Sequence, residues 1–362
     1  MVKKLHVKSL FFLATLLLGG LNPAWADGLH TKDVITAASF STSSYSDWAD
    51  AEFGSNAKYA GNTKSDDGVI QMRSTNSSGI VTTTSGGRAK KITVDWNSKT
   101  AEERTIDIYA KNTPYTSAAD LYSAGDKGAK IGSIKNGETT SLTFDGNYAF
   151  IGIRSKSGAL YADEIQIEWD EEIEIEIGES LMTTFSFGTD VDFNGSGMTA
   201  YKAKASGATV VLTAVKGNTV PANTGVVLAA EEAKKYTATF TTGATAIADN
   251  DMVAQTEDGI VEYDMNDMYN YILQTQNVGG GKKKTGFYMA NDRKLRGGKA
   301  YLSIDFDIAA SRLEIEFDGE STGIAEVIEK PNDNSVYNLQ GQRVCQTSKG
   351  LYIVDGKKVF MK

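Results

Sequence analysis

The feature that most limits what this chain can fold into is the alternation of apolar and polar residues in short runs along most of its length. Side chains of a strand point to opposite faces with period two, so each such run reads as a half-buried strand. Lys91 to Trp96 places Ile92, Val94 and Trp96 on one face. Thr105–Tyr109, Ser141–Phe144 and Ala149–Ile153 follow the same pattern, and Ile165, Ile167 and Trp169 end the series. Between them lie turn-forming clusters such as Ser85-Gly86-Gly87, Asn136-Gly137 and Asp145-Gly146-Asn147. Sustained helical periodicity is absent. The fold class expected is all-β, with residues 27–170 forming a jelly-roll-like β-sandwich.

A second series occupies 171–320 and is expected to form a second jelly-roll-like β-sandwich domain, with a small C-terminal β module after it. Ile173, Ile175 and Ile177 alternate with Glu172, Glu174 and Glu176, which gives one apolar face and one carboxylate face. Val210–Val215, Gly225–Ala229, Tyr236–Phe240 and Leu313–Phe317 read as further strands, and the boundary falls near Asp170-Glu171-Glu172. A helical turn or two is expected around Ala229 to Lys235. Residues 321–362 open with a polar linker around Glu329–Asn334 and then pack three strand candidates together, Val336–Leu339, Leu351–Val354 and Val359–Met361. Asp355-Gly356 supplies a hairpin turn for the last two.

Residues 1–26 read as a secretory leader. Lys3, Lys4 and Lys8 precede an apolar run from Leu10 to Leu18 that is too short to span a bilayer, and Ala24-Trp25-Ala26 fits a cleavage site. No cysteine follows that site to carry a lipid, and no later stretch reads as a transmembrane helix. The net charge of −9 becomes more acidic once the three leader lysines are gone, so no nucleic-acid partner is expected. The single cysteine, Cys345, excludes an internal disulfide.

Catalysis is not expected. The only histidine after the leader, His30, sits near the start of the mature chain, where ends fray, and no Gly-x-Ser-x-Gly elbow accompanies it. Gly279-Gly280-Gly281-Lys282-Lys283-Lys284 lacks phosphate-loop spacing and reads as a solvated hairpin tip. Two carboxylates alone would serve a glycosidase, but no pair stands out among 46 acidic residues. Asp190 to Gly195 opens like a calcium loop, yet Tyr201 stands where the bidentate Glu belongs, which favours an Asx-rich turn. Structural calcium is the one cofactor considered, at Asp163 and Glu164 before the last strand of the first sandwich. A solvent-facing strand start is the equal alternative there.

A glycan site needs exposed rings to stack on sugar faces and polar groups to orient hydroxyls. The first sandwich offers Tyr45, Trp48, Tyr59, Tyr115 and Tyr122 in loop-like segments, with Arg73 and Asn76 close in sequence. Trp96 and Trp169 alternate with core positions and are assigned to packing. Trp48 stands open between core and platform, and Tyr115 and Tyr122 between platform and a tacked-down loop.

The C-terminal residues Val336–Val344, Lys349–Val354 and Gly356–Lys362 resemble the sorting domains of proteins exported by the type nine secretion system of Gram-negative anaerobes. The shared pattern is a strand, a Gly-Arg-type turn (here Gly341-Gln342-Arg343), a Gly-x-Tyr strand and a final basic strand. The first domain, through Ile70–Ser74, Ser78–Gly87 and Lys90–Asn97, is similar to β-sandwich modules of such secreted proteins. Met198–Tyr201 and Val220–Leu228 are similar to another of their β-domains. The resemblance implies an exported protein of the outer surface or the extracellular space, held or addressed by secretion and anchoring machinery through its C-terminal module. The function expected is binding or adhesion to a glycan or surface ligand through the first sandwich. The alternative is a structural or assembly component of the envelope.

Overall fold

The structure, a computed structural model, describes residues 29–318 except 65–67, 76, 266–267, 279–281 and 306–309. Beyond these it describes the backbone of four short strands between 336 and 361. The expected leader, Asn76 and Cys345 therefore lie outside the described residues. The chain divides into two compact units, 1–318 and 319–362. It is all-β, and among the described residues the only helical pieces are 3-10 turns at Ala37–Ser39, Asp120–Tyr122 and Lys216–Asn218. None of them approaches the length and apolarity needed to cross a membrane.

The first strands are β1 (Lys32–Thr36), β2 (Ala49–Asp50), β3 (Ala57–Ala60), β4 (Ile70–Met72) and β5 (Gly79–Thr82). Then come β6 (Arg88–Trp96), β7 (Thr105–Lys111), β8 (Ala129–Lys135), β9 (Ser141–Thr143), β10 (Phe150–Ser155) and β11 (Leu160–Asp170). One antiparallel sheet runs β1-β11-β6-β9, with β4 pairing the near end of β11; the other runs β2-β3-β5-β10-β7-β8. Setting aside the short β2, β3 and β4, the first strand neighbours the last, and the inner strands nest likewise. That is jelly-roll connectivity. Alternation fills the space between the sheets with Ile35, Ile92, Ile106, Ile108, Ile151 and Ile165, all fully buried. Each such side chain contributes about 1.5–3 kcal/mol by leaving water. Strand β11 keeps its phase only through a bulge between Ala162 and Glu164, which absorbs the extra polar residue Asp163 and returns Ile165, Ile167 and Trp169 to the core.

The second series opens with β12 (Glu172–Ile177), β13 (Met182–Phe185), β14 (Asp190–Asp192), β15 (Met198–Ser206), β16 (Thr209–Ala214) and β17 (Thr219–Val220). It continues through β18 (Val226–Ala230), β19 (Lys234–Thr241), β20 (Met252–Gln255), β21 (Gly259–Val261) and β22 (Asp264–Met265). The last are β23 (Met268–Asn277), β24 (Lys283–Met289), β25 (Arg293–Leu295), β26 (Lys299–Asp305) and β27 (Arg312–Phe317). A four-stranded sheet, β12-β19-β14-β17, packs on a longer one ordered β13-β18-β15-β16-β27-β24-β23-β26-β20. The longer sheet is antiparallel except at β16–β27, and it curls until its ends meet. There the Ser186 amide donates to Gly298 O (3.0 Å) and the Ala300 amide to Thr184 Oγ1 (3.2 Å). Every residue of β18 is buried, because Val226 and Leu228 face the four-stranded sheet while Val227 faces the interior of the curl.

No strand pairing joins the two series among the described residues, but their side chains do. Val81, Tyr109 and Phe150 of the first sandwich share one apolar cluster with Ile173, Phe187 and Phe240 of the second. Asn112 clips the junction, accepting from the Ala149 amide (3.0 Å) and donating to Asn147 O (3.1 Å) and Thr256 O (3.0 Å). Gly188 has to be glycine there, since a Cβ would sit 2.6 Å from both Ala149 Cβ and Asn112 O.

The expected helix at 229–235 does not form. Ala229 and Ala230 end β18, and Lys234 already begins β19, whose Tyr236, Ala238 and Phe240 alternate inward. Buried period-two packing overrides the helical propensity of the Ala-Glu-Lys segment. Strands β23 and β24 pair as far as Asn277 and Lys283, and the Val278 amide donates to Lys282 O at 2.9 Å, while Gly279-Gly280-Gly281 of the expected hairpin tip lie outside the described residues. In the C-terminal unit, β28 (Val336–Tyr337), β29 (Arg343–Val344), β30 (Gly350–Val354) and β31 (Lys357–Met361) form an antiparallel sheet ordered β29-β28-β30-β31. Val354 lies opposite Lys357 across the last turn.

Candidate functional site

The site begins with the alternation of β4. Ile70 and Met72 are fully buried, so Gln71 between them points out of the sheet. Across the ladder it faces Tyr161, which is turned outward by the buried Leu160 and Ala162 on either side. Gln71 Nε2 donates to the Tyr161 hydroxyl at 3.0 Å, while Gln71 Oε1 accepts from the Tyr45 hydroxyl at 2.8 Å and Asn62 Nδ2 at 3.4 Å. The Arg73 guanidinium lies 4.1 Å from the centre of the Tyr45 ring. Arg73 is exposed and the other four are half-buried, so rings, amides and hydroxyls share one accessible patch. Among the described residues no carboxylate neutralises Arg73.

The patch unites two of the expected site residues, Tyr45 and Arg73, and its Gln71, Tyr161 and Asn62 were not foreseen. Tyr59 is a correction, because it is fully buried and its hydroxyl donates to Gln71 O at 2.6 Å. It supports the patch from inside the core, and burial pushes its phenol pKa well above the usual value. Tyr115 is a second correction. Only 2% exposed, it lies beneath the 112–128 loop, its hydroxyl donating to Lys127 O at 2.9 Å and Lys111 Nζ standing 4.2 Å from its ring centre.

Tyr122 is half-buried, donates to Ser78 O at 2.8 Å, and carries the Arg154 guanidinium 4.7 Å from its ring centre. It tacks the loop to β5 rather than standing free. Trp48 packs against the same apolar cluster, with its indole N–H buried and unpartnered. The contacts described for Trp48, which is half-buried, are packing contacts. The expected Asn76 lies outside the described residues.

The calcium candidates are tied up locally. Asp163, in the bulge, accepts from Asn97 Nδ2 at 2.7 Å, and Glu164 accepts from Gln166 Nε2. No cluster of three His, Cys, Asp or Glu side chains able to hold a metal occurs among the described residues. In the Asp190 segment the Asn194 amide donates to Asp192 Oδ1 at 2.8 Å, an Asx turn. Asp190 itself accepts from the amides of Ala222 and Ala244.

His30 is not frayed. Its Nε2 donates to Asp33 Oδ2 at 2.9 Å, which leaves Nδ1 to accept from Asn56 Nδ2 at 3.3 Å. Asp33 is fully buried and also accepts from Ser55 Oγ (2.6 Å), the Asn56 amide (3.0 Å) and Trp169 Nε1 (2.6 Å). Burial alone would raise this carboxyl, but the His30 contact and the other hydrogen bonds hold it below its ordinary pKa of 3.8. Ser55 donates to the carboxylate and not to His30, so the trio lacks the nucleophile–base contact of a hydrolase. Its work is to pin β1 to the end of β11.

An open cleft of about 570 Å³ adjoins this pin, lined by Lys32, Lys90, Glu168, Asp170 and Glu171, with Arg88 and Lys90 already paired to Asp170. The chain matches no family model, no curated protein and no solved structure.

Proposed function

We propose that this is an exported surface protein that binds a glycan or similar polyhydroxylated ligand through the Tyr45–Asn62–Gln71–Arg73–Tyr161 patch. The observation that carries the reading is the Gln71 bridge between the hydroxyls of two half-buried tyrosines, with the Arg73 guanidinium held over one ring. Such a surface offers a ring face for stacking and fixed donors and acceptors for sugar hydroxyls. Export rests on the leader-like residues 1–26. Anchoring rests on the likeness of the last 30 or so residues to sorting domains.

A glycan array probed with the purified chain tests the binding. Reproducible hits that vanish with Tyr45→Ala, while Trp48→Ala weakens stability and leaves the hits in place, are the expected result. Silence across a broad array overturns the reading in favour of an assembly role.

A further inference from the structure

A second cleft, of about 200 Å³, opens in the long curled sheet between β13 and the β21–β25 ribbon. Its walls are Met182, Thr183, Ile272, Gln274, Thr285 and Leu295, and Lys299 reaches into it. Alternation along β26 sends Ala300 and Leu302 into the core and turns Lys299 to the opposite face. There the Lys299 ammonium donates to Thr183 Oγ1 at 2.8 Å. Among the described residues no carboxylate lies within ion-pair distance of it, and an ammonium has two further N–H groups to donate.

Lys299 is half-buried, and a cation partly withdrawn from water is stabilised by an opposite charge close by. Burial, reinforced by the neighbouring Arg296 and opposed by Glu176, lowers the pKa of this lysine. The unmet need is a negative charge. The rest of the lining mixes apolar side chains with a somewhat larger share of hydroxyl and amide ones, and the space is smaller than the roughly 300–1,000 Å³ that drug-sized ligands occupy.

We propose that this cleft binds a small organic carboxylate, its head paired with Lys299 and Thr183 and its apolar body against Ile272 and Leu295. The site is separate from the Tyr45 patch and does not depend on it.

Calorimetric titration of the full chain with benzoate and with benzamide, equal in shape and different in charge, tests this directly. A charge-assisted pair of about 1.5–3 kcal/mol makes benzoate at least tenfold the tighter binder. Lys299→Met, which keeps the stem, is expected to remove that preference, and Tyr45→Ala to leave it unchanged. If Lys299→Met does not fold, Thr183→Val provides the second variant, with benzoate affinity shifted severalfold. Equal affinity for acid and amide, no benzoate heat at millimolar concentration, or a preference that survives Lys299→Met overturns the proposal.

Discussion

Replacing Asp33 with alanine is expected to cost about 3–5 kcal/mol of stability, among the largest effects any single change will have in this protein. The carboxylate is fully buried and receives four donors, from His30, Ser55, the Asn56 amide and Trp169. Its removal takes the acceptor away from the buried Ser55 hydroxyl and the buried Trp169 indole N–H. Asp33→Asn keeps the shape but turns an NH₂ toward a donor, so an intermediate cost is expected. The effect carries a pH signature. Because the folded carboxyl is held below 3.8, its contribution is fully present above that value and is lost as pH falls through the folded pKa. Chemical denaturation at about pH 6 and again at about pH 3 should therefore show the gap between wild type and Asp33→Ala shrinking in acid. A cost below about 1 kcal/mol at neutral pH would mean that the four donors find other partners.

Tyr115→Ala is expected to cost about 3–5 kcal/mol as well, and to leave ligand binding intact in whatever fraction stays folded. The ring fills the space between the 112–128 loop and the outer face of β10, where Gly152 makes room for it. A Cβ on Gly152 would lie 2.6 Å from the Tyr115 hydroxyl and 2.4 Å from Leu121 Cδ2. Truncation opens a cavity there and frees Lys127 O and the Lys111 ammonium from their partner. Tyr115→Phe removes only the hydroxyl and is expected to cost about 1 kcal/mol. The pair of variants separates packing from recognition. A ligand platform would lose affinity on truncation at little cost in stability, whereas a core residue does the reverse.

The strands that pack one face on a core were legible because period two is written into them. Ile92 and Val94, Ile106 and Ile108, Ile173, Ile175 and Ile177 all lie inside as their spacing requires. Segments buried on both faces carry no such period. Ala57–Ala60 is almost wholly enclosed, so Tyr59 read as a loop tyrosine and proved to be core. Ala229–Lys235 failed for a related reason, its composition favouring a helix while the packing of Val226–Ala230 between two layers required a strand.

The candidate patch was half legible. Tyr45 and Arg73 stand out as residue types, but Gln71 and Tyr161 meet only because β4 pairs β11 across 90 residues of chain. The outward turn of Gln71 between Ile70 and Met72 was readable, while its partner was not. The reverse holds for His30. Proximity to the chain start suggested fraying, and the long-range bond from Trp169 to Asp33 is what orders that segment.

The most direct test of the account is the dissociation constant of an array-positive glycan, measured by calorimetry for wild type, Tyr45→Ala, Arg73→Ala and Tyr263→Ala. Tyr263 is 45% exposed and lies in the bend between β21 and β22, so it controls for loss of any surface tyrosine. The account predicts at least about tenfold weaker binding for Tyr45→Ala and Arg73→Ala, the size expected of central contacts, with Tyr263→Ala unchanged. Wild-type affinity in both patch variants would contradict it and place the ligand elsewhere on the molecule.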